Sequence, residues 1–174
     1  MFSLRTATAE DAGALAELGR RMFFETFAKD NTPEDMARYL GDTFSPALQR
    51  AELTAPSVRF LLLLAEGRLA GYAKLRPAAA NARGRRPLEV CRFYVDRPWH
   101  GSGAARTLLE GALAHAQTNA HDEVWLAVWE HNARAIRFYR KHGFTRVGEQ
   151  LFQLGADVQT DWVMARPVTP EQSR

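Results

Sequence analysis

Cysteine is nearly absent from this chain of 174 residues, which has only Cys91. A single cysteine excludes an internal disulfide, so we expect a protein of a reducing compartment. Cys91 lies in an apolar run, which favours a buried thiol that packs as a small hydrophobe over a nucleophile.

Long hydrophobic runs are also missing. The longest, Phe60–Ala65, is far too short to span a bilayer. The N-terminus turns polar within a few residues, so the sequence predicts no signal peptide. We therefore expect a cytoplasmic protein without a membrane partner.

Lysine is scarce, with 3 against 20 arginines, and the formal net charge is only +3. Nucleic-acid binding would need a stripe of basic residues, whereas the one dense cluster is Arg83, Arg85 and Arg86 in an Ala/Gly/Pro loop. The mild excess of positive charge suits a small anionic ligand, and we expect no nucleic-acid partner. The five histidines show no metal-ligand spacing, so we also expect no metal.

The composition, 46% hydrophobic and 25% charged, is that of a globular protein, and no linker or repeat divides the chain. We predict one domain over residues 1–168 and a flexible tail over 169–174. Alternating apolar patterns and helical spacing give the order β, helices, β-β-β-α-β-α-β-β, which indicates a mixed α/β domain. Thr32, Pro33 and Asp35 form a capping-box-like start of one helix.

The stretch RPWHGSGAAR, residues 97–106, joins an apolar strand at Leu88–Val95 to an Ala/Leu-rich helix through two glycines. Such a turn leaves backbone N–H groups free to bind an anion, usually phosphate. The segment lacks the lysine of a P-loop and the third glycine of a dinucleotide fingerprint. Taken alone, a simple strand-to-helix turn explains it equally well.

A second segment, Asn132–Phe144, follows the next predicted strand and begins another helix, with Asn132 as its N-cap. Helices that start after neighbouring strands can face one ligand crevice. Together, the two segments resemble the paired motifs of the GNAT superfamily of acetyl-CoA-dependent N-acetyltransferases, in the expected order and spacing. The resemblance covers about residues 2–166, with the departure that His100 stands where Gln or Arg is usual.

The resemblance implies a mostly antiparallel sheet of about seven strands flanked by about four helices, with acetyl-CoA as cosubstrate. It implies that the backbone of one strand pairs with the pantetheine arm, that an N–H near its end stabilises the oxyanion, and that the glycine turn holds the pyrophosphate. The implied cofactor-binding residues are Phe93, Tyr94, Val95, His100, Gly101, Ser102, Gly103, Ala104, Ala105, Arg106, Asn132 and Tyr139.

By the same resemblance, Tyr139 is the acid that protonates the leaving thiolate, although a core tyrosine would fit the helix pattern too. Glu89 resembles the strand glutamate that acts as base in some members, with an exposed strand carboxylate as the alternative. His131 is a weaker candidate for the base, and Asn132 could serve only as a cap.

The N-terminal helices resemble those of members that acetylate polyamines and small amines, similar to PaiA. Glu25, Asp30 and Glu34 are the candidate residues for attracting a cationic amine, although a solvated helix face explains any one of them. The sequence thus predicts acetyl transfer to a small primary amine such as a polyamine. A protein N-terminus or lysine as acceptor, a non-catalytic acyl-CoA sensor and a homodimer stay open.

Overall fold

A seven-stranded sheet organises residues 1–79 and 85–168, which are those that the computed structural model describes. Its strands are β1 (Phe2–Thr6), β2 (Arg59–Ala65), β3 (Arg68–Pro77), β4 (Pro87–Val95), β5 (Glu123–Trp129), β6 (Thr145–Leu154) and β7 (Asp157–Pro167). Their spatial order is β1-β2-β3-β4-β5-β7-β6. Neighbours run antiparallel except β4 and β5, which are parallel. The sheet is therefore mostly antiparallel, as the resemblance implied.

Five α-helices lie in the described part of the chain, where about four were predicted. They are α1 (Ala12–Phe27), α2 (Pro33–Thr43), α3 (Pro46–Thr54), α4 (Ala104–Thr118) and α5 (Ala133–Lys141). The short α3 begins at Pro46 because the Ser45 side chain accepts a hydrogen bond from the Leu48 N–H.

The helices cover both faces of the sheet. Residues of α4 pack on one face in the largest apolar cluster, together with Leu75, Val124 and Phe144. The opposite face carries two smaller clusters, in which α1 packs on Tyr72 and α2 packs on Leu154. Because strand residues alternate between faces, each side chain of β4 and β5 points to one of these two layers.

The predicted start of α2 is confirmed, because the Thr32 hydroxyl accepts a hydrogen bond from the Asp35 N–H at 3.2 Å. The capping-box part of that prediction is wrong. The Asp35 carboxylate does not return to the helix start and instead accepts a hydrogen bond from the Ala156 N–H at 3.4 Å, in the β6–β7 turn. Tertiary contact therefore overrides the local pairing.

Cys91 is half-buried rather than fully buried, and lies at an irregularity where β4 has one residue more than its partner β3. Burial raises the pKa of its thiol to about 11, as does the nearby Glu89 carboxylate, so the thiol is protonated at neutral pH. A protonated thiol fits the predicted packing role of Cys91 better than a nucleophilic role. Arg83 and the predicted tail at 169–174 lie outside the described residues.

Candidate functional site

A gap in the middle of the sheet defines the candidate site. β4 and β5 pair only over Pro87–Glu89 and Glu123–Trp125, and then separate. The cleft between them has a volume of about 780 Å³ and is lined by residues 90–95 of β4 and 126–129 of β5. Along this stretch, the backbone groups of β4 that face β5 have no strand to pair with, so an extended ligand can bind as an added strand.

The glycine turn lies at one side of the cleft, on the face covered by α4 and α5. Gly101 and Gly103 have φ values of +79° and +92°, which only glycine adopts without strain. A Cβ at either glycine would meet no atom within 4 Å, so the space beside the turn is open. Among the described residues, the N–H groups of Gly103, Ala105 and Arg106 have no hydrogen-bond acceptor. The turn can therefore bind an anion at the start of α4.

His100 lies beside this turn and contacts a residue that the sequence did not single out. Its Nε2 is 2.7 Å from the carbonyl oxygen of Val95, so Nε2 carries the proton and Nδ1 is the acceptor. Arg134, from the first turn of α5, donates to that Nδ1 at 2.5 Å. Both side chains line the cleft, so a guanidinium lies near the glycine turn although residue 100 is not arginine.

Two residues of α5 line the cleft as predicted. Asn132 caps the helix, because its side-chain oxygen accepts a hydrogen bond from the Ala135 N–H at 3.2 Å. Tyr139 is 7% exposed and its ring packs edge-on against Phe93 at 6.0 Å. Burial raises the pKa of the Tyr139 hydroxyl well above its usual value, so the hydroxyl stays protonated at neutral pH.

The other side of the cleft, below α1 and α2, is rich in aromatic rings. Phe27 lies 5.6 Å from Trp129, and Tyr39 lies 5.6 Å from Phe152, measured between ring centroids. Two polar residues of β7 share this face. We call the group the aromatic chamber: Phe27, Tyr39, Trp129, Phe152, Gln159 and Asp161.

Asp161 is a half-buried carboxylate in the aromatic chamber, and its strand position is opposite Trp129. Within the described part of the chain, its side chain has no hydrogen-bond or salt-bridge partner. Desolvation by burial raises its pKa to about 6. A carboxyl group with this pKa is ionised at neutral pH and can exchange a proton there.

Gln159 is only 8% exposed, and its amide nitrogen donates to Asp157 at 2.8 Å and to Asn31 at 3.1 Å. Because a carboxylate only accepts hydrogen bonds, the contact with Asp157 fixes the amide orientation. Its carbonyl oxygen is buried and has no donor among the residues described. An unpaired acceptor thus lies two residues from Asp161 on the same face of β7.

Most of the residues implied by the resemblance line the cleft. They are Phe93, Tyr94, Val95, His100, Gly101, Ala105, Asn132 and Tyr139. Four others lie beside it without lining it: Ser102, Gly103, Ala104 and Arg106. Of these, Ala104 is buried, and the exposed Arg106 side chain lies 3.2 Å from Glu110.

Neither predicted base lines the cleft. Glu89 forms an ion pair with Arg76 and contacts the Cys91 thiol, which does line the cleft. The side chain of His131 is 71% exposed and lies 3.8 Å from Glu130. The structure therefore does not bring Glu89 together with Tyr139 in the cleft.

The three acidic residues predicted to attract the amine do not all line the cleft. Glu25 lines the cleft but lies 3.8 Å from Arg21, whereas Asp30 and Glu34 do not line it. Asp30 lies 3.9 Å from Lys29. The carboxylate that faces the aromatic chamber without a cationic partner is Asp161.

The sequence analysis missed Arg134 and Asp161. Arg134 lies two residues after the helix cap in the segment Asn132–Phe144, and this position could have indicated a role beside the cleft. For Asp161 the only signal was a carboxylate in an alternating apolar strand, since its position depends on pairing with β5.

Neither a metal cluster nor a membrane-spanning helix is present among the described residues. No group of three or more His, Cys, Asp or Glu side chains there could hold a metal ion. No helix in the same part of the chain is long and apolar enough to cross a membrane.

Comparison with known proteins gives one family. The model of the acetyltransferase (GNAT) family matches residues 16–144. An uncharacterized N-acetyltransferase in the pepI 3' region of Lactobacillus delbrueckii subsp. lactis is 35% identical over 159 residues, which cover 90% of this chain and 92% of that protein.

Two further relatives are more distant. The spermine/spermidine N(1)-acetyltransferase of Bacillus subtilis (strain 168) is 34% identical over 89 residues, 48% of this chain and 57% of that protein. The crystal structure of the PaiA N-acetyltransferase from Thermoplasma acidophilum in complex with coenzyme A has a TM-score of 0.81 at 22% identity. It covers 96% of this chain and 99% of that one. At this identity the likeness establishes the fold.

Proposed function

The chain belongs to the acetyltransferase (GNAT) family, and we propose that it transfers the acetyl group of acetyl-CoA to the primary amine of a small molecule. The main support is the cleft that passes between β4 and β5. It joins the open glycine turn on one face of the sheet to the aromatic chamber on the other. Two substrates that enter from opposite faces would meet within it, which suits direct transfer from a thioester to an amine.

The glycine-turn side suits the donor. The unpaired edge of β4, at Phe93–Val95, would pair with the amide groups of the pantetheine arm. The free N–H groups at Gly101–Arg106 would hold the pyrophosphate, since they point out of the start of α4. Arg134 would add a guanidinium beside the turn, where residue 100 is histidine rather than arginine.

The chemistry requires one bond to form and one to break. The amine nitrogen attacks the thioester carbonyl carbon, and the oxyanion that develops would accept a hydrogen bond from a backbone N–H near Val95. The carbon–sulfur bond then breaks, and the Tyr139 hydroxyl would give its proton to the sulfur. Because burial raises the pKa of Tyr139, this hydroxyl stays protonated until the thiolate forms.

The amine must also lose a proton. Asp161 is the base that its position supports, because it faces the aromatic chamber and carries no cationic partner among the described residues. Its pKa of about 6 leaves it ionised at neutral pH. Glu89 is the alternative, but its side chain does not line the cleft.

The acceptor is proposed to be small because α1 and α2 cover the aromatic chamber. A protein N-terminus or lysine side chain would need an open groove at this place. A non-catalytic sensor would need neither Tyr139 nor Asp161 in the cleft.

The test is release of coenzyme A thiol from acetyl-CoA with a panel of amines, beside calorimetric binding of coenzyme A. We expect coenzyme A to bind and at least one small amine to be acetylated. Binding without turnover of any small amine or peptide would leave the sensor as the function. Turnover of peptides alone would move the acceptor to proteins.

A further inference from the structure

The charges around the aromatic chamber limit the amine that it can hold. Glu25 lies near Arg21, and Lys29 lies near Asp30. Arg92, which also lines the cleft, pairs with Glu52 at 2.7 Å. Arg21 also contacts Asp96 at 2.7 Å, and Glu52 also contacts Lys74 at 2.6 Å, so these charges form small mixed clusters. Within the described part of the chain, Asp161 is the lining carboxylate without a cation within salt-bridge distance.

A ligand with several ammonium groups needs several anionic partners when it leaves water, because a buried and unpaired charge is costly. Among the residues that define the aromatic chamber, Asp161 is the one carboxylate, and the buried Gln159 oxygen is an acceptor without a donor in the described part of the chain. A single ammonium group has N–H donors enough for both, and Asp161 would supply the only full negative charge that it needs. A polyamine would leave its other cations without partners there.

The walls of the aromatic chamber are suited to an apolar body. The Phe27 and Trp129 rings lie at one side, and the Tyr39 and Phe152 rings meet edge to face. Such rings bury apolar surface, and their faces attract an alkylammonium cation. The aromatic chamber therefore favours a hydrocarbon or aromatic substituent over a chain of polar groups.

Building on the proposed function, we propose that the acceptor is an amine with a single ammonium group and an apolar body of about the size of an aromatic ring. The ammonium group binds between Asp161 and the Gln159 oxygen, and the apolar body packs against Phe152 and Trp129. The chamber thereby selects against spermidine and related polyamines, because Asp161 is the one carboxylate among the residues that define it.

Three probes test this selection: 2-phenylethylamine, ethylamine and spermidine, each assayed for kcat/KM. We expect 2-phenylethylamine to exceed spermidine by about tenfold or more, because only its charge is fully matched. It should also exceed ethylamine by about tenfold or more, because only its body contacts the rings. Spermidine as the best substrate of the three would overturn the proposal.

Two variants connect the selection to the chamber. Asp161→Asn keeps the shape of the side chain and should lower kcat/KM for 2-phenylethylamine by about 100-fold. Phe152→Ala should reduce the preference for 2-phenylethylamine over ethylamine by about tenfold. An unchanged preference in Phe152→Ala, or unchanged rates in Asp161→Asn, would contradict the placement of the amine.

The matched control is Glu149→Gln, on the strand next to β7. Glu149 lies opposite Trp162, on the other face of the sheet from Asp161, and should not alter the preference. Calorimetric affinity for coenzyme A reports the fold in every variant. If coenzyme A binds and no amine reacts, the proposed function fails. If spermidine reacts best, only the selection proposed here fails.

Discussion

The guanidinium of Arg134 donates a hydrogen bond to the His100 imidazole at 2.5 Å, and the imidazole is itself held by the Val95 carbonyl oxygen at 2.7 Å. This chain of contacts joins the end of β4, the glycine turn and the start of α5. Residue 100 therefore positions a cation rather than providing one, since the imidazole nitrogen that faces Arg134 is an acceptor. In the proposed function, Arg134 on α5 offsets the departure from the usual Gln or Arg at this position.

Arg134→Ala should raise the dissociation constant of coenzyme A about tenfold, because a charge-assisted contact to phosphate is lost at a solvent-exposed place. Calorimetry in low and high salt measures the change, which salt should reduce. Arg137→Ala removes the same charge from an exposed position of the same helix that does not line the cleft. Equal effects of the two variants would show that only general charge matters.

Tyr139→Phe should lower kcat by about 100-fold while the affinity for coenzyme A stays unchanged, because only the proton donor is removed. The ring itself packs against Phe93 and Phe144, and phenylalanine preserves both contacts. Single-turnover measurement of thiol release separates this effect from product release. A wild-type rate would assign Tyr139 to the core alone.

The features that the sequence predicts well depend on neighbouring residues. The start of α2 follows from Thr32 and Pro33, whose capping chemistry acts within one helical turn. The glycine turn likewise needs two positive φ values within three residues, and the glycines mark it. These predictions hold because the physical cause and its effect lie close together along the chain.

The aromatic chamber could not be predicted in this way. Asp161 enters it because β7 lies between β5 and β6 in the sheet, so that Asp161 is opposite Trp129. Phe27 reaches the same place from the end of α1. Such placement depends on pairing between strands far apart in the chain, which one sequence does not specify. The surroundings of Glu89 could not be predicted for the same reason, because its ion pair with Arg76 depends on the register between β3 and β4.

Asp161 should control the acidic side of the pH profile. Burial holds its pKa at about 6, so kcat/KM should fall as the pH drops through 6 and the carboxylate becomes protonated. The pH dependence of kcat/KM for Asp161→Asn should lack this step, whereas Glu89→Gln should keep it. The opposite result would make Glu89 the base. The other ionisable or charged groups that line the cleft on the same side are Tyr39, Tyr94, Glu25, Lys29 and Arg92.

The same burial should affect stability. Because the folded-state pKa of Asp161 lies above its ordinary value, the folded protein takes up the proton more readily than the unfolded chain. The ionised carboxylate therefore destabilises the fold above pH 6, and this cost disappears as the pH falls towards 4. The free energy of unfolding of Asp161→Asn, taken relative to that of the wild type, should therefore be about 1 kcal/mol higher at pH 8 than at pH 4. This value is reduced because the site is half-exposed. Urea unfolding at the two pH values measures the difference.

Gly103 should tolerate substitution less well than its open surroundings suggest. A Cβ there would meet no atom within 4 Å, so the cost of Gly103→Ala comes from the backbone, whose φ of +92° disfavours any L side chain. We expect Gly103→Ala to lower the free energy of unfolding by about 1–2 kcal/mol. It should also weaken coenzyme A binding, because relaxation of the turn would redirect its N–H groups.

Two further variants separate strain from bulk at Gly103. Gly103→Asn should cost less than Gly103→Ala, although its side chain is larger, because asparagine tolerates a positive φ better. Gly41→Ala, in α2, also places a Cβ in open space but without a positive φ, and should instead stabilise the protein by about 0.5–1 kcal/mol. Chemical unfolding measures all three changes. A cost that follows side-chain size, with Gly103→Asn worse than Gly103→Ala, would show that the space beside the turn matters more than its backbone conformation.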